Sequence, residues 1–209
     1  MRNILIISVI LVSIGLARAG AYDDIVAAAN NGDTSAVVDL LKRGMDVNTA
    51  DRSGSTLLMI AVRNGDAELM RMLLANRANV NRRNQFGDTA LMFAALKGQP
   101  EAVEALIEKN SDLNPSGWTP LHYAVFADSK EVVALLIAKG AKLDTRAPNG
   151  QTPLMTAVKH GKIELVHLLI DADADMDLAD YEGATALSLA KLAGNTEITE
   201  YLRKVGAVE

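Results

Sequence analysis

One phrase, Gly-x-Thr-x-Leu, returns along this chain at a fixed interval, and that interval limits what the chain can fold into. Its glycines are Gly54, Gly87, Gly150 and Gly183; the first two lie 33 residues apart, and so do the last two. A further copy, Gly117-Trp118-Thr119-Pro120-Leu121, arrives three residues early and leaves 33 to Gly150. A period of this length specifies a row of small, similar units rather than one globule with a single core. Each unit buries its apolar side only against its neighbours, and such rows serve as binding surfaces more often than as catalysts.

Each unit reads as two short helices and a loop. In the fourth, Thr119 is an N-cap and Pro120 occupies the first helical position, where the missing N–H costs nothing. Leu121, Ala124 and Val125 form an apolar stripe at helical spacing. Asp128-Ser129 breaks the helix, a second is expected over Glu131–Lys139, and Gly140 ends it in a left-handed turn. First helices elsewhere end at Gly32, Gly65, Gly98, Gly161 and Gly194. Second helices carry Leu40-Leu41, Leu73-Leu74, Leu106-Ile107 and Leu168-Leu169-Ile170. In three of them Arg77, Asn110 and Asp173 stand where glycine would end the helix. After each comes an apolar residue followed by Asn or Asp: Val47-Asn48, Val80-Asn81, Leu113-Asn114, Leu143-Asp144 and Met176-Asp177.

This pattern resembles the ankyrin repeat. Thr119-Pro120-Leu121-His122-Tyr123-Ala124 is close to that family's Thr-Pro-Leu-His-x-Ala signature, and Lys139-Gly140-Ala141-Lys142-Leu143-Asp144 to its Gly-Ala-x-x-Asn ending. The resemblance implies an all-α repeat, an α-solenoid of about six helix-turn-helix units with finger loops. The units fall near 20–50, 51–83, 84–114, 115–146, 147–179 and 180–209, with the first and last as atypical caps. The connection from Leu113 to Gly117 is three residues short, so a clipped finger is expected there.

The N-terminus is expected to lie outside this array. Arg2, the apolar run Ile4–Leu16 and Ala17-Arg18-Ala19 have the layout of a secretory signal peptide, 1–19, cleaved near Ala19. As a helix that run would reach about 20 Å against a hydrocarbon core of roughly 30 Å, so a retained anchor is the weaker reading. Export to the periplasm or the exterior follows. The chain has no Cys, which suits an oxidising compartment and excludes thiol catalysis and thiolate metal sites. Its one Asn-x-Ser sequon, Asn114-Pro115-Ser116, is disabled by proline, which favours a bacterial periplasm. Without Arg2 and Arg18, 19 of the 21 basic residues face 26 acidic ones, a net −7; nucleic acid is not an expected partner.

No catalytic constellation emerges. His122 occupies a slot that other units fill with Met59, Met92, Met155 and Ser188, and packing and hydrogen bonding are its expected role. His160 and His167 fall at variable positions. The run from Asp171 to Asp177, with Glu182, imitates a calcium loop, but Met176 stands where the loop requires Gly, so a solvated acidic finger is expected. The methionines read as core. No enzyme activity, cofactor or metal is expected.

A partner protein is expected on the concave side, at finger tips and exposed positions of first helices. Free positions of this kind include Arg52, Ser53, Ser55 and Arg63, then Phe86 and Leu96, Trp118 and Phe126, Gln151 and His160, and Tyr181 and Leu192. The chain holds three Phe, one Trp and four Tyr. Phe86, Leu96, Trp118 and Phe126 are therefore the expected apolar centre, with Arg52 and Arg63 as polar rim. Filling of the clipped finger by Trp118 and Phe126 is the competing explanation. The reading is a monomeric, non-catalytic protein-binding module, for instance an inhibitor or accessory factor of an exported protein; a passive or self-associating cell-envelope element is the alternative.

Overall fold

The computed structural model describes residues 20–208; the expected signal peptide, 1–19, and its expected cleavage near Ala19 lie outside the described residues. The chain is built from helices in pairs. From the second pair onward the first helix is short and mostly apolar, and the second carries one apolar side. Among the described residues no β-strand forms; two isolated bridges, Ala50 to Thr56 and Ala179 to Thr185, close fingers. The described residues form two compact units, one ending at Thr89 and one beginning at Ala90.

The first unit contains α1 (described over 20–30), α2 (Thr34–Lys42), α3 (Leu57–Asn64) and α4 (Ala67–Ala75). Asp33 and Asp66 cap α2 and α4 through their side chains. Thr34 donates to the second Asp66 oxygen at 2.9 Å, tying one pair to the next. Gly65 ends α3 in the left-handed conformation, and Arg77 adopts the same conformation after α4. The finger Asn84–Asp88 belongs to this unit because Gln85 N–H donates to Ser53 C=O, laying one finger against the preceding one. A Cβ at Gly54 would stand 3.4 Å from the Asn84 Cα, so that approach uses the absent side chain.

The second unit contains α5 (Ala90–Leu96), α6 (Pro100–Glu108), α7 (Pro120–Phe126), α8 (Lys130–Ala138), α9 (Pro153–Lys159), α10 (Ile163–Asp171), α11 (Ala186–Leu192) and α12 (Thr196–Lys204). The second helix of the fourth repeat starts at Lys130, one residue before the sequence-based expectation. First helices pack in a row, α5 on α7, α7 on α9 and α9 on α11; second helices do the same, α6 on α8, α8 on α10 and α10 on α12. Leu121, Ala124, Val125, Val132, Val133 and Leu136 are fully buried in the middle of that double row. Each such Leu removes about 2–3 kcal/mol worth of apolar surface from water, so pairs that could not fold singly are stable together.

The Asn or Asp after each loop's apolar residue now has a cause. Asn48 Oδ1 accepts Asn79 N–H at 2.7 Å, Asn114 accepts Lys142 N–H at 2.7 Å, Asp144 accepts Asp175 N–H at 3.0 Å, and Asp177 accepts Val208 N–H at 2.9 Å. In these four repeats one carboxyl or amide oxygen thus satisfies a backbone donor of the following repeat. The acidic run is spent in this way: Asp175 also accepts from Asp177 N–H, and Asp173 takes a left-handed turn. Asp128, Asn110 and Asp173 fill the glycine position with residues that tolerate it.

Candidate partner-binding surface

The shortened connection runs over 109–119, three residues fewer than 139–152 in the next repeat. The intact finger folds back on itself: Ala147 N–H donates to Gln151 C=O at 2.9 Å, and Gly150 N–H to Ala147 C=O at 2.8 Å. That fold-back buries Gln151 at 9 % exposure, as it buries Ser55 at 2 % in the first unit. Both were expected to be free positions; they are buried because the finger closes over them. The clipped loop has no room for the same fold-back. Trp118, at the position of Gln151 and Ser55, is instead left 37 % exposed.

Trp118 leans on α7. Its ring meets His122 edge-on at 5.3 Å and Tyr123 at 6.2 Å, tilted 60°. Phe126 closes α7 at the opposite end, about 10 Å further along the axis at 1.5 Å per residue. It is 54 % exposed yet held in place. His160 abuts it edge-on at 5.5 Å, and Lys162 Nζ lies 6.0 Å from its ring centre while donating to the Phe126 and Val125 carbonyls at 2.7 and 3.0 Å. Lys162 thereby caps the C-terminus of α7, where a cation is favoured. These contacts show that Phe126 does not fill the clipped finger.

Two residues overlooked in the sequence join them. Phe93 and Tyr123 are half-buried in mid-helix, each three residues before Leu96 and Phe126. Residues three apart share a helix face, and α5 packs on α7. Phe93, Leu96, Tyr123 and Phe126 therefore form two short rows on adjacent helices, with Trp118 beside them. The matching mid-helix positions elsewhere, Ile60, Thr156 and Leu189, are buried. The signal available in the sequence was size: an aromatic where the other repeats place a smaller side chain.

The remaining expected residues divide by unit. Leu96 is half-buried on α5 in the second unit, as the neighbour of Phe126. Phe86 stands at a finger tip of the first unit, 72 % exposed, its N–H donated to Asn84 Oδ1. Arg52 is exposed in the same unit; Arg63 is half-buried and donates to Asn30 Oδ1 at 3.0 Å. Tyr181 and Leu192 of the second unit are more exposed than most expected anchors, at 69 and 86 %. Tyr181 lies against Gly150, whose absent side chain makes room for it.

His122 is completely buried and bridges two repeats. Its Nε2–H donates to Gln151 C=O at 3.1 Å, and Nδ1 accepts from the Thr119 hydroxyl at 2.8 Å and from Thr119 N–H at 3.3 Å. These partners suit the neutral ring. Burial lowers its pKa to about 4, against a smaller raising effect of the Gln151 bond. Met59 and Met155 occupy the same slot, and their sulfurs accept Thr56 and Thr152 N–H at 3.4 and 3.5 Å. Among the described residues no three His, Asp or Glu side chains cluster as a metal site, and no helix is long and apolar enough to cross a membrane.

Helix pairs in register, threonine N-caps and left-handed helix ends define an all-α repeat protein. A family model described as ankyrin repeats matches in three copies, over residues 25–114, 59–147 and 140–208, and the chain belongs to the ankyrin-repeat family. Ankyrin repeats as a class are protein-interaction modules and are typically non-catalytic. No curated protein matches the chain.

Proposed function

We propose that this chain is a non-catalytic binding protein that works after export, in the periplasm or outside the cell, and holds another protein through the first-helix face of its second unit. One observation carries the reading. At the positions of Phe93, Trp118 and Tyr123 the other repeats place buried or small residues, and these three, with Phe126 at the end of α7, are all partly open to solvent. Exposed aromatics are costly in a free protein and are the commonest anchors in interfaces. The polar contacts around Phe126 hold it in one place, which lowers the ordering cost of binding. An inhibitor of an exported enzyme, or a factor that holds such an enzyme in an assembly, is a job of this kind.

Affinity capture from a periplasmic extract tests it, with the wild-type chain and the Trp118→Ala, Phe126→Ala double variant as baits. Truncating two anchors should weaken recovery of a specific partner by about tenfold or more, with far-UV circular dichroism unchanged. Equal recovery by both baits removes this face from the function.

A further inference from the structure

The chemistry of the partner can be taken one step further. The helix ends beside the aromatic face carry Lys97 after α5, and Lys159, His160 and Lys162 at the end of α9. Lys97, Lys159 and His160 are exposed. Among the described residues neither Lys97 nor Lys159 is in an ion pair, unlike Lys42 with Asp39, Lys130 with Glu164 and Lys139 with Glu104. Asp128, after α7, is the one carboxylate among these three helix ends. This stands against a chain whose net charge is −5. Its acids lie elsewhere: Glu101, Glu104, Glu131 and Glu164 on second helices, and Asp175, Asp177 and Glu182 in the last finger.

We propose that the face formed by Phe93, Leu96, Tyr123 and Phe126 receives an acidic segment of the partner protein, one aromatic or aliphatic side chain seated against Phe126 and carboxylates paired with Lys97 and Lys159. This rests on the protein-binding reading above. The apolar rows supply the area that drives binding, and the two flanking ammonium groups set its sign. Unpaired surface lysines on both sides of an apolar centre attract carboxylates and repel basic segments, which gives selectivity more than affinity. The last finger of a second copy, with Tyr181 beside Glu182, has similar chemistry and is the occupant the experiment must separate.

A random peptide library displayed on phage, panned on the immobilised full chain, is the test. Enriched peptides should carry Asp or Glu around a Phe, Tyr, Trp or Leu, and should shift the fluorescence of Trp118, the chain's one tryptophan. Lys97→Glu with Lys159→Glu should weaken the selected peptide by about tenfold, less at high salt. Phe126→Ala should weaken it as much at every salt concentration, with circular dichroism unaltered. Basic or uncharged winners, or acidic winners indifferent to the lysine reversal, overturn the proposal and leave a protein-binding function standing. Enrichment that Phe126→Ala and Trp118→Ala leave intact, or no enrichment at all, overturns both. Light scattering that shows concentration-dependent assembly, abolished by the lysine reversal, assigns the face to a second copy and also overturns the proposal.

Discussion

The second unit contains the same finger twice, once whole and once shortened, and the two are held by different means. The whole finger, 147–152, is held by its own backbone and by the next repeat. Ala147 pairs with Gln151, Arg146 donates to the Ala179 carbonyl, and Tyr181 covers Gly150. The shortened one has no cross-finger pair; its Trp118 rests on α7 through aromatic edges. The two are joined by one histidine, because the Gln151 carbonyl accepts from Ala147 N–H and from His122 Nε2–H together. Three deleted residues thus turn a buried polar position into a partly open aromatic one, while the register of the flanking helices is kept. Variation in this repeat is tolerated in the finger because packing is decided in the helices.

Glycine substitution breaks this comparison most forcefully. Gly150 has φ +81°, and a Cβ there would stand 2.5 Å from the Tyr181 backbone nitrogen. Gly117 has φ +85°, but its nearest neighbour would be Pro148 Cγ at 3.9 Å. Both alanine variants bear the left-handed cost of about 1–2 kcal/mol. Gly150→Ala must also displace a backbone, for a further 1–3 kcal/mol. Urea unfolding should rank Gly150→Ala well below Gly117→Ala; equal losses would mean that the last finger yields freely.

His122 sharpens the comparison next, because it is the link between the fingers. Its folded pKa of about 4 lies below the ordinary 6.5, so the unfolded chain takes up the proton first as pH falls. The stabilisation is complete above pH 6.5 and drains away toward pH 4, by up to about 3 kcal/mol. His122→Met copies the residue of three sister repeats, Met59, Met92 and Met155, and leaves Gln151 C=O with its Ala147 partner. The variant should lose the part of acid destabilisation that lies between pH 6.5 and 4. Matching wild-type and variant stability curves across that window would place the ring's protonation outside the folding equilibrium.

Most of the fold could be read in advance because its determinants are local. Thr56, Thr119, Thr152 and Thr185 cap first helices through the backbone N–H three residues on, as their place before an apolar run requires. Arg77, Asn110, Asp128 and Asp173 take positive φ where a repeat alignment asks for glycine. The aromatic face was half legible. Trp118 and Phe126 stood out as rare residues at variable positions. Phe93 and Tyr123 did not, because Ile60, Thr156 and Leu189 at the same positions are core. Whether an aromatic stays in such a slot or emerges from it depends on its bulk against a neighbouring helix, which periodicity does not encode. Ser55 and Gln151 were misplaced for a related reason: their burial comes from a finger folding back through backbone pairs.

The smallest effect lies at the root of the shortened connection. Ser111 follows Asn110 there, at the position held by Ala141 beside the whole finger, and both are 8 % exposed. The Ser111 hydroxyl oxygen is buried with no hydrogen-bond partner. A buried hydroxyl without a partner is a net cost, and alanine removes it without opening a cavity. Ser111→Ala should therefore stabilise the chain by about 1 kcal/mol in urea unfolding, whereas Ala141→Ser should cost about as much. A gain from the first substitution with no loss from the second would mean that the longer loop adjusts to satisfy a hydroxyl that the shorter one leaves stranded, which makes loop length itself the source of the difference.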